Sequence, residues 1–211
     1  MTTYHKIETI YERDPKTHKL LPELILKNRV YGIIKTWHWT EKIDGTNIRC
    51  LWKDGKLTFG GKTDNAQLHA DLVTYLHDAV SSERMAEIFP DTDAVIYGEG
   101  YGAGIQKGGE YSSEKRFIVF DVRVADDLRP WENAWWLSME NVCDVADKLG
   151  LPVVPYEGEM TLEQATEIVR EGFRSSLGNN PEAEGLVGRP VETLFDKKGH
   201  RLIVKLKTKD F

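Results

Sequence analysis

The sequence contains only two cysteines, Cys50 and Cys143, among 211 residues. They lie far apart and belong to no Cys-x-x-Cys or Cys/His cluster, so neither a disulfide framework nor a zinc site is indicated. No apolar run approaches the roughly 18 residues that a membrane-spanning helix needs, and no apolar signal-peptide core follows the N-terminus. These absences predict a soluble, cytoplasmic protein.

The chain also lacks the basic excess that is common in proteins that coat nucleic acids. It carries 28 basic and 34 acidic side chains, for a net charge of −6, which argues against tight, non-specific DNA binding. The charge is unevenly placed, however, because the C-terminal stretch concentrates basic side chains. These are Lys197, Lys198, Arg201, Lys205, Lys207 and Lys209, against Asp196 and Asp210. A local basic face on an acidic body is therefore compatible with a polyanionic substrate.

Alternating strand formers and turn residues predict several β-strands. The clearest hairpin covers 46–60, in which Asp54-Gly55 is a favoured two-residue turn. Short apolar runs predict further strands at 5–12, 23–34, 94–97, 116–120, 185–187 and 202–206.

Three segments have helical signals. Apolar residues recur at steps of three and four over 66–88. Ser138 is placed to cap a second helix that Gly150 ends, and Thr161 with Gln164 forms a capping box for a third, which ends near Gly172. Strands outnumber helices and do not alternate strictly with them, so the sequence predicts a mixed α+β fold and not a doubly wound sheet.

The segment Lys42-Ile43-Asp44-Gly45 contains a candidate nucleophile. An amine attacks phosphorus only when it is neutral, and at the ordinary lysine pKa of about 10.4 roughly one molecule in a thousand is neutral at physiological pH. Partial burial and nearby cations favour the neutral form; Lys205, Lys207 and a divalent metal are candidates. Gly45 would turn the chain into the next strand without a side chain that blocks a nucleotide. By itself, the tetrapeptide is equally compatible with an ordinary turn.

Glycines are dense after the strand predicted at 94–97, with six among residues 98–109. Such a loop lets the backbone approach a ligand closely, although a plain connection is an equal alternative. A Gly-Lys-Ser/Thr ending is missing, so a P-loop is not supported. Glu99 is expected just past the strand, where carboxylates often face a site.

Phe120 and Asp121 are expected at the end of a hydrophobic strand. An aromatic ring in that position could stack on a purine, a contact that contributes about 1–3 kcal/mol per base. Phe120 could equally fill the core.

Two C-terminal segments could bind a metal and phosphates. Glu184 precedes Gly185 at the start of a strand, where a carboxylate can hold a hydrated Mg²⁺ or belong to a solvated turn. In Val204-Lys205-Leu206-Lys207, strand alternation places both ammonium groups on one face. A shared anion such as a triphosphate would explain two like charges there; a lysine-protected edge strand is the alternative.

The order of these elements is more specific than any one of them. The segments EKIDGTN (41–47), GGKT (60–63), YGEG (97–100), FIVFDV (117–122), EGLVGR (184–189) and KLK (205–207) resemble motifs I, Ia, III, IIIa, IV and V of covalent nucleotidyltransferases. The pattern is most similar to the RNA ligase family, especially its type 2 phage-like branch, from about residue 37 to the C-terminus. The resemblance implies a nucleotidyltransferase (ATP-grasp-like) fold of antiparallel sheets with flanking helices and a central ATP pocket.

The resemblance also implies a reaction in three steps. A lysine is adenylated by ATP, AMP passes to a 5′-phosphate end, and a 3′-hydroxyl attacks that end; the partner would be nucleic acid, expected to be RNA. Lys42 matches the nucleophile, and Glu184 the residue that organises Mg²⁺ or Mn²⁺, with Glu99 as a second candidate ligand. Lys205 and Lys207 match a catalytic pair that neutralises charge on the phosphates.

The nucleotide-binding residues are likewise implied by the resemblance. The Glu41 backbone would contact the adenine amino edge, Phe120 and Val187 would sandwich the ring, and Glu99 would contact the ribose. The other implied nucleotide-binding positions are Lys42, Asp44, Gly45, Asn47, Lys62, Lys205 and Lys207. Lys62 stands where many relatives have arginine, and an ammonium cannot bind a phosphate bidentately as a guanidinium does.

The chain ends four residues after Lys207, where larger relatives continue into a C-terminal domain. We therefore expect one adenylyltransferase domain over 1–211 without a separate C-terminal domain, either as a minimal ligase or as a catalytic fragment.

Three alternative functions stay open. A DNA ligase core shares the KxDG motif, although Thr46-Asn47 and FIVFDV are more similar to RNA ligases. An mRNA-capping guanylyltransferase would typically have arginine at the position of Asn47. A non-catalytic binder of nucleotides or nucleic-acid ends would hold its ligand without a covalent adduct.

Overall fold

The computed structural model describes residues 2–211. The four α-helices are α1 (Ala70–Ala79), α2 (Ser82–Ile88), α3 (Met139–Leu149) and α4 (Leu162–Glu171). The strands are β1 (Glu8–Thr9), β2 (Trp37–Glu41), β3 (Thr46–Lys53), β4 (Lys56–Gly60), β5 (Asp93–Tyr101), β6 (Arg116–Ala125), β7 (Trp135–Trp136), β8 (Tyr156–Met160), β9 (Gly185–Pro190) and β10 (Val204–Lys207). Short 3-10 helices cover Arg29–Ile33, Gly108–Glu110, Trp131–Asn133 and Thr208–Asp210.

The chain divides into two compact units, each built on one five-stranded sheet. Unit 1 consists of residues 44–154 and the N-terminal residues through Tyr4; unit 2 consists of 5–43 and 155–211. The chain therefore passes from unit 2 to unit 1 between Ile43 and Asp44. The expectation of a single domain over 1–211 stays a prediction.

Unit 1 contains a fully antiparallel sheet in the order β4-β3-β5-β6-β7. Its apolar side packs against α1, α2 and α3 in one hydrophobic core. Fully buried members of that core are Ile48, Cys50, Leu72, Leu76, Met85, Ile96, Phe117 and Val142. The strand-forming sequences on one side and the helical apolar faces on the other produce this layered arrangement.

Unit 2 contains a sheet in the order β1-β10-β9-β2-β8, in which only the β1–β10 pair is parallel. Trp37 and Trp39 alternate on the buried side of β2 and pack with Leu162, Ala165 and Val169 of α4. Together the two units confirm the mixed α+β class, with antiparallel pairing predominant.

The predicted local signals that rest on turn and cap chemistry are confirmed. β3 and β4 form the hairpin, with Asp54 and Gly55 both at positive φ in the turn. Ser138 accepts a hydrogen bond from the Asn141 amide at the start of α3, and Gly150 ends this helix in the left-handed conformation. Thr161 and Gln164 form the capping box of α4.

The helical character predicted over 66–88 is confirmed from Ala70, although two helices share that segment. Val80 is extended, and the Ser81 hydroxyl accepts a hydrogen bond from the Arg84 amide, so Ser81 caps the start of α2. Leu76 and Met85, on either side of the break, face the same core.

The strands predicted at 5–12 and 23–34 are largely wrong. Only Glu8–Thr9 forms a strand, and beyond it single bridges join Tyr11 to Leu26 and Arg13 to Leu20. Arg29–Ile33 is a 3-10 helix whose cap, Asn28, accepts a hydrogen bond from the Val30 amide.

No helix within residues 2–211 combines the length and the apolar character required to cross a bilayer.

Candidate functional site

Lys42 lies one residue after β2, at the end of unit 2's second strand. Its backbone amide donates a hydrogen bond to the Gly185 carbonyl at 2.8 Å, which continues the pairing of β2 with β9. Its ammonium donates to Glu184 Oε2 at 2.6 Å. The sequence-predicted nucleophile and the sequence-predicted metal-organising carboxylate therefore meet.

Glu184 accepts a second ammonium on its other oxygen. Lys207 Nζ donates to Glu184 Oε1 at 2.5 Å. The side chains are mostly buried, with 21%, 10% and 20% exposure for Lys42, Glu184 and Lys207. Burial raises the pKa of Glu184, but Lys42 and Lys207 together outweigh burial and bring this pKa below its ordinary value. The three groups form a compact cluster with a net positive charge, which suits a phosphate.

The local fold explains why Glu184 reaches both lysines. Gly185 pairs with Lys207 across β9 and β10, and the Thr208 amide donates to the Glu184 carbonyl at 2.9 Å. Gly185 has a φ of +151°, and a Cβ there would lie 2.0 Å from the Leu206 carbonyl oxygen. Only glycine allows β9 to approach β10 this closely directly after the glutamate.

Lys205 lies two residues before Lys207, on the same face of β10. Val204 and Leu206 are buried while Lys205 and Lys207 are half-buried, so the predicted alternation is confirmed. Lys205 pairs in register with Val187, another predicted nucleotide-binding residue. The alternative of a solvated edge strand is wrong, because β10 has β1 on one side and β9 on the other.

Glu41, the last residue of β2, is a carboxylate in the interior, with 1% exposure. Neither carboxylate oxygen makes a well-formed hydrogen bond with the described residues. Burial raises its pKa; nearby Ser175 and the Ser176 amide lower it in part, and Glu157 raises it further. A buried polar group without full partners is costly, so Glu41 marks a place where a ligand donor would be stabilising. The sequence resemblance implied a role only for the backbone of Glu41 and not for its side chain.

Glu41 predicts a measurable pH dependence of stability. Because its folded pKa is raised, its contribution is fully present below the unfolded pKa and is lost as the pH rises through the folded value. The Glu41→Gln variant lacks this titration, so its unfolding free energy should decline less than that of wild type as the pH is raised from about 5 to about 8. Urea denaturation of the ligand-free protein across this range measures the difference. Glu159→Gln, at an exposed carboxylate, is the control; identical pH slopes for Glu41→Gln and wild type would contradict the prediction.

Unit 1 holds four predicted nucleotide-binding residues at its paired strands β3 and β5: Asp44, Gly45, Asn47 and Glu99. Asn47 pairs in register with Glu99, and Thr46 with Gly100. A Cβ at Gly45 would lie 2.3 Å from the Gly100 carbonyl oxygen and 2.9 Å from Glu99 Cγ, so Asp44 and Gly45 enter β3 closely against β5. Asn47 Oδ1 is buried, and it accepts no hydrogen bond from residues 2–211.

The expectation that Glu99 follows a strand is wrong: β5 continues through the glycines to Tyr101, so Glu99 lies within it.

Phe120 lies within β6 and not at its end, contrary to the sequence-based expectation. The register shifts at this point, since Tyr97 pairs with Asp121 and Gly98 with Val119. Phe120 is therefore the extra residue of a β-bulge, a device that redirects side chains beside functional sites. Its half-buried ring contacts Tyr4 edge-on at 5.1 Å between centroids.

Lys62 follows β4 and is exposed. The preceding residue, Gly61, accepts a hydrogen bond from Arg49 Nε at 2.7 Å, and the ideal Cβ position of Gly61 lies 3.7 Å from the Asn47 carbonyl oxygen. Lys62 is thus held next to the start of β3.

Each unit thus contains half of the predicted site. Unit 2 holds Glu41, Lys42, Glu184, Val187, Lys205 and Lys207, whereas unit 1 holds Asp44, Gly45, Asn47, Lys62, Glu99 and Phe120. Within the part of the chain that the structure describes, no three His, Cys, Asp or Glu side chains form a group that could hold a metal ion. Mg²⁺ commonly takes only one or two carboxylates and completes its shell with substrate phosphates and water.

Comparisons with known proteins agree with this fold. A family model described as RNA ligase matches residues 35–207. A lysine-to-alanine variant of the Naegleria gruberi RNA ligase, solved with ATP and Mn, is 18% identical with a TM-score of 0.64; the match covers 98% of this chain and 62% of the other. A lysine-to-methionine variant with AMP and Mn is 16% identical with a TM-score of 0.65, covering 97% and 60%. The same ligase with PPi is 16% identical with a TM-score of 0.63, covering 98% and 62%. No curated protein sequence matches significantly.

The two sheets and their flanking helices therefore form the nucleotidyltransferase-like fold of RNA ligases. The chain belongs to the RNA ligase family, since the family model covers most of it. It spans about three fifths of the length of the solved ligases that it matches.

Proposed function

We propose that the protein is an ATP-dependent RNA ligase in which Lys42 becomes covalently bound to AMP. The cluster of Lys42, Glu184 and Lys207 is the observation that carries this proposal. The Lys42 amine loses a proton and its nitrogen bonds to the α-phosphorus of ATP. The bond from that phosphorus to the bridging oxygen of the β-phosphate breaks, and pyrophosphate leaves with the electron pair.

The paired lysines of β10 have an electrostatic role in this step. Negative charge grows on the α-phosphate oxygens and on the departing pyrophosphate, and preorganised cations in a partly buried site stabilise it. Lys207 is already fixed by Glu184, and Lys205 projects from the same face. Both ammonium groups therefore already lie on this face of β10 before ATP binds.

Nucleotide contacts are proposed for each unit by itself. We assign the adenine amino edge to Glu41, the ring faces to Phe120 and Val187, and the ribose to Glu99. The buried, unsatisfied acceptors of Glu41 and Asn47 support a ligand that brings donors, as an adenosine does. Within unit 1, Asp44, Gly45 and Lys62 are further proposed nucleotide contacts.

We propose that Glu184 is the main protein ligand of a divalent cation, Mg²⁺ or Mn²⁺, and we keep Glu99 of unit 1 as a separate candidate ligand. Glu184 offers a charged carboxylate that is held near the proposed phosphate position, and hard cations prefer such oxygens. When bound, the cation would offset phosphate charge. The Naegleria gruberi ligase structures with ATP or AMP and Mn support this choice of cofactors.

The two later steps act on nucleic-acid ends. A 5′-phosphate oxygen attacks the AMP phosphorus and releases Lys42; a 3′-hydroxyl then attacks the activated 5′-phosphate and releases AMP. Membership of the RNA ligase family supports RNA as the substrate.

Substrate class is tested by sealing assays on nicked duplexes that differ only in the sugar carrying the 3′-hydroxyl. We expect sealing of a ribose end to be at least about tenfold faster than sealing of a deoxyribose end, because a site that hydrogen-bonds a hydroxyl discriminates against its absence by more than 1.4 kcal/mol. Equal or faster sealing of the deoxyribose end would indicate a DNA ligase. ATP binding without sealing of either would indicate a nucleotide-binding protein.

A further inference from the structure

The connection between β9 and β10 is an ordered hairpin. Leu202 N donates to the Leu194 carbonyl at 2.7 Å, Asp196 N to the His200 carbonyl at 2.8 Å, and Gly199 N to the Asp196 carbonyl at 3.0 Å. Phe195 and Arg201 form the bridge between its two arms. We call residues 194–202 the β9–β10 hairpin.

Its turn is held by Asp196. The Asp196 carboxylate accepts the backbone amides of Lys198 at 2.8 Å and His200 at 2.9 Å. These hydrogen bonds, led by the one from His200, lower the pKa of Asp196. The only carboxylate of the hairpin is thereby directed into its own turn.

The outer surface of the hairpin combines an aromatic ring with positive charge. Phe195 is 60% exposed, and Lys197 and Lys198 are exposed at the turn. Neither ammonium forms an ion pair with any residue that the structure describes. The His200 ring stacks on His5 with nearly parallel planes, which fixes the hairpin against the segment that carries Lys6.

The position of the hairpin relates it to the proposed site within unit 2. Its first arm follows β9, which begins directly after Glu184, and its second arm leads into β10, which carries Lys205 and Lys207. Lys205 is the nearer of the two lysines to the hairpin, whereas Glu184 and Lys207 lie at the opposite end of the β9–β10 pair. A polyanion bound along the hairpin would therefore lie beyond the Lys205 end of these strands.

The chemistry of this surface differs from that of a groove in unit 1 that also contains aromatic side chains. The groove beside Trp131 in unit 1 is about 630 Å³ and is lined by several carboxylates and one lysine, Lys53. Those carboxylates are Asp54, Asp91, Asp93, Asp126, Asp127 and Glu132, and they would repel a phosphate backbone. An aromatic ring beside lysines, as at Phe195, is the combination that binds single-stranded nucleic acid.

We infer that the β9–β10 hairpin binds a single-stranded segment of the RNA substrate, with a base stacked on Phe195 and phosphates against Lys197 and Lys198. This inference rests on the proposed ligase function and names a surface that the substrate uses outside the reacting centre. Because the hairpin lies at the opposite end of the β9–β10 pair from Glu184 and Lys207 and contributes no group to the lysine–glutamate cluster, it acts on RNA binding and not on adenylation.

The test compares two steps in the same variants of the full chain. Phe195→Ala and the double variant Lys197→Ala/Lys198→Ala are assayed for AMP adduct formation with ATP, and for binding of a short 5′-phosphorylated single-stranded RNA at several salt concentrations. We expect unchanged adduct formation in both. Phe195→Ala should weaken RNA binding by roughly fivefold or more, and the lysine double variant should reduce the slope of log affinity against log salt by about 1.4.

Two controls match these changes. Lys53→Ala/Lys56→Ala removes the same charge from the β3–β4 hairpin and should leave the salt slope unaltered. Phe195→Tyr keeps an aromatic face and should retain RNA affinity. Adduct formation with unaltered RNA affinity in Phe195→Ala and in the lysine variant would overturn the inference while leaving the proposed function intact. Absence of an adduct in the wild type would instead reject the proposed function.

Discussion

Replacement of Lys42 with alanine is expected to abolish the covalent AMP adduct, which is the largest single effect that we predict. The amine nitrogen is the atom proposed to bond to phosphorus, so the alanine variant lacks the attacking group. Incubation with radiolabelled ATP and Mg²⁺ or Mn²⁺, followed by denaturing electrophoresis, measures the adduct directly.

Two further variants separate the loss of the nucleophile from the loss of a positive charge. Lys42→Arg keeps a cation beside Glu184, but a guanidinium stays protonated and is not nucleophilic at physiological pH; it should also form no adduct. Lys62→Ala, at an exposed lysine, should retain adduct formation at a reduced rate. Labelling of Lys42→Ala at the wild-type level would show that another residue is the nucleophile.

The second large effect is expected for Glu184→Gln. Glu184 is the shared anion between Lys42 and Lys207, and an amide would leave two partly buried ammonium groups facing each other. We expect adenylation to slow by about 10²–10³-fold, the usual consequence of losing one preorganised electrostatic group. Rapid-quench measurement of adduct formation gives this rate, and Glu182→Gln, which removes the same charge two residues away, should be close to wild type.

The same variant has a predicted pH signature in stability. The folded pKa of Glu184 is lowered, so its contribution is present above the ordinary carboxylate pKa and is lost as the pH falls through the folded value. At neutral pH, the free energy of unfolding of Glu184→Gln should be about 1–3 kcal/mol lower than that of wild type. This difference should shrink in acid. A difference that grows on acidification would contradict the assigned ion pairs.

Local elements that depend on turn and cap residues could be predicted from the sequence alone. The Asp54-Gly55 turn, the Ser138 cap and the Thr161/Gln164 capping box each use hydrogen bonds within a few residues. Such signals do not need the tertiary structure, and the structure confirms them.

Elements that depend on distant packing could not be predicted in this way. The apolar spacing over 66–88 predicts helix but does not predict the break at Ser81, on either side of which the two helices face one core. β2 has buried Trp37 and Trp39 in alternation, a signal that the strand predictions missed. β8 is half-buried or exposed along its length and owes its place to pairing with β2.

In the candidate site, too, local features could be predicted from the sequence and long-range contacts could not. Alternation predicted the shared face of Lys205 and Lys207, but the meeting of Lys42 with Glu184 depends on β2–β9 pairing between segments 142 residues apart. The bulge at Phe120 depends on the register of β5 with β6, and the burial of the Glu41 carboxylate depends on tertiary packing; no motif identified either.

Intact-protein mass spectrometry after separate exposure to ATP, GTP and NAD, each with a divalent metal, tests the lysyl-AMP step most directly. We predict a gain of one AMP with ATP, located on the peptide that contains Lys42, and no comparable gain with GTP or NAD. No gain with ATP under any metal, or an adduct on a different lysine, would contradict the proposed chemistry.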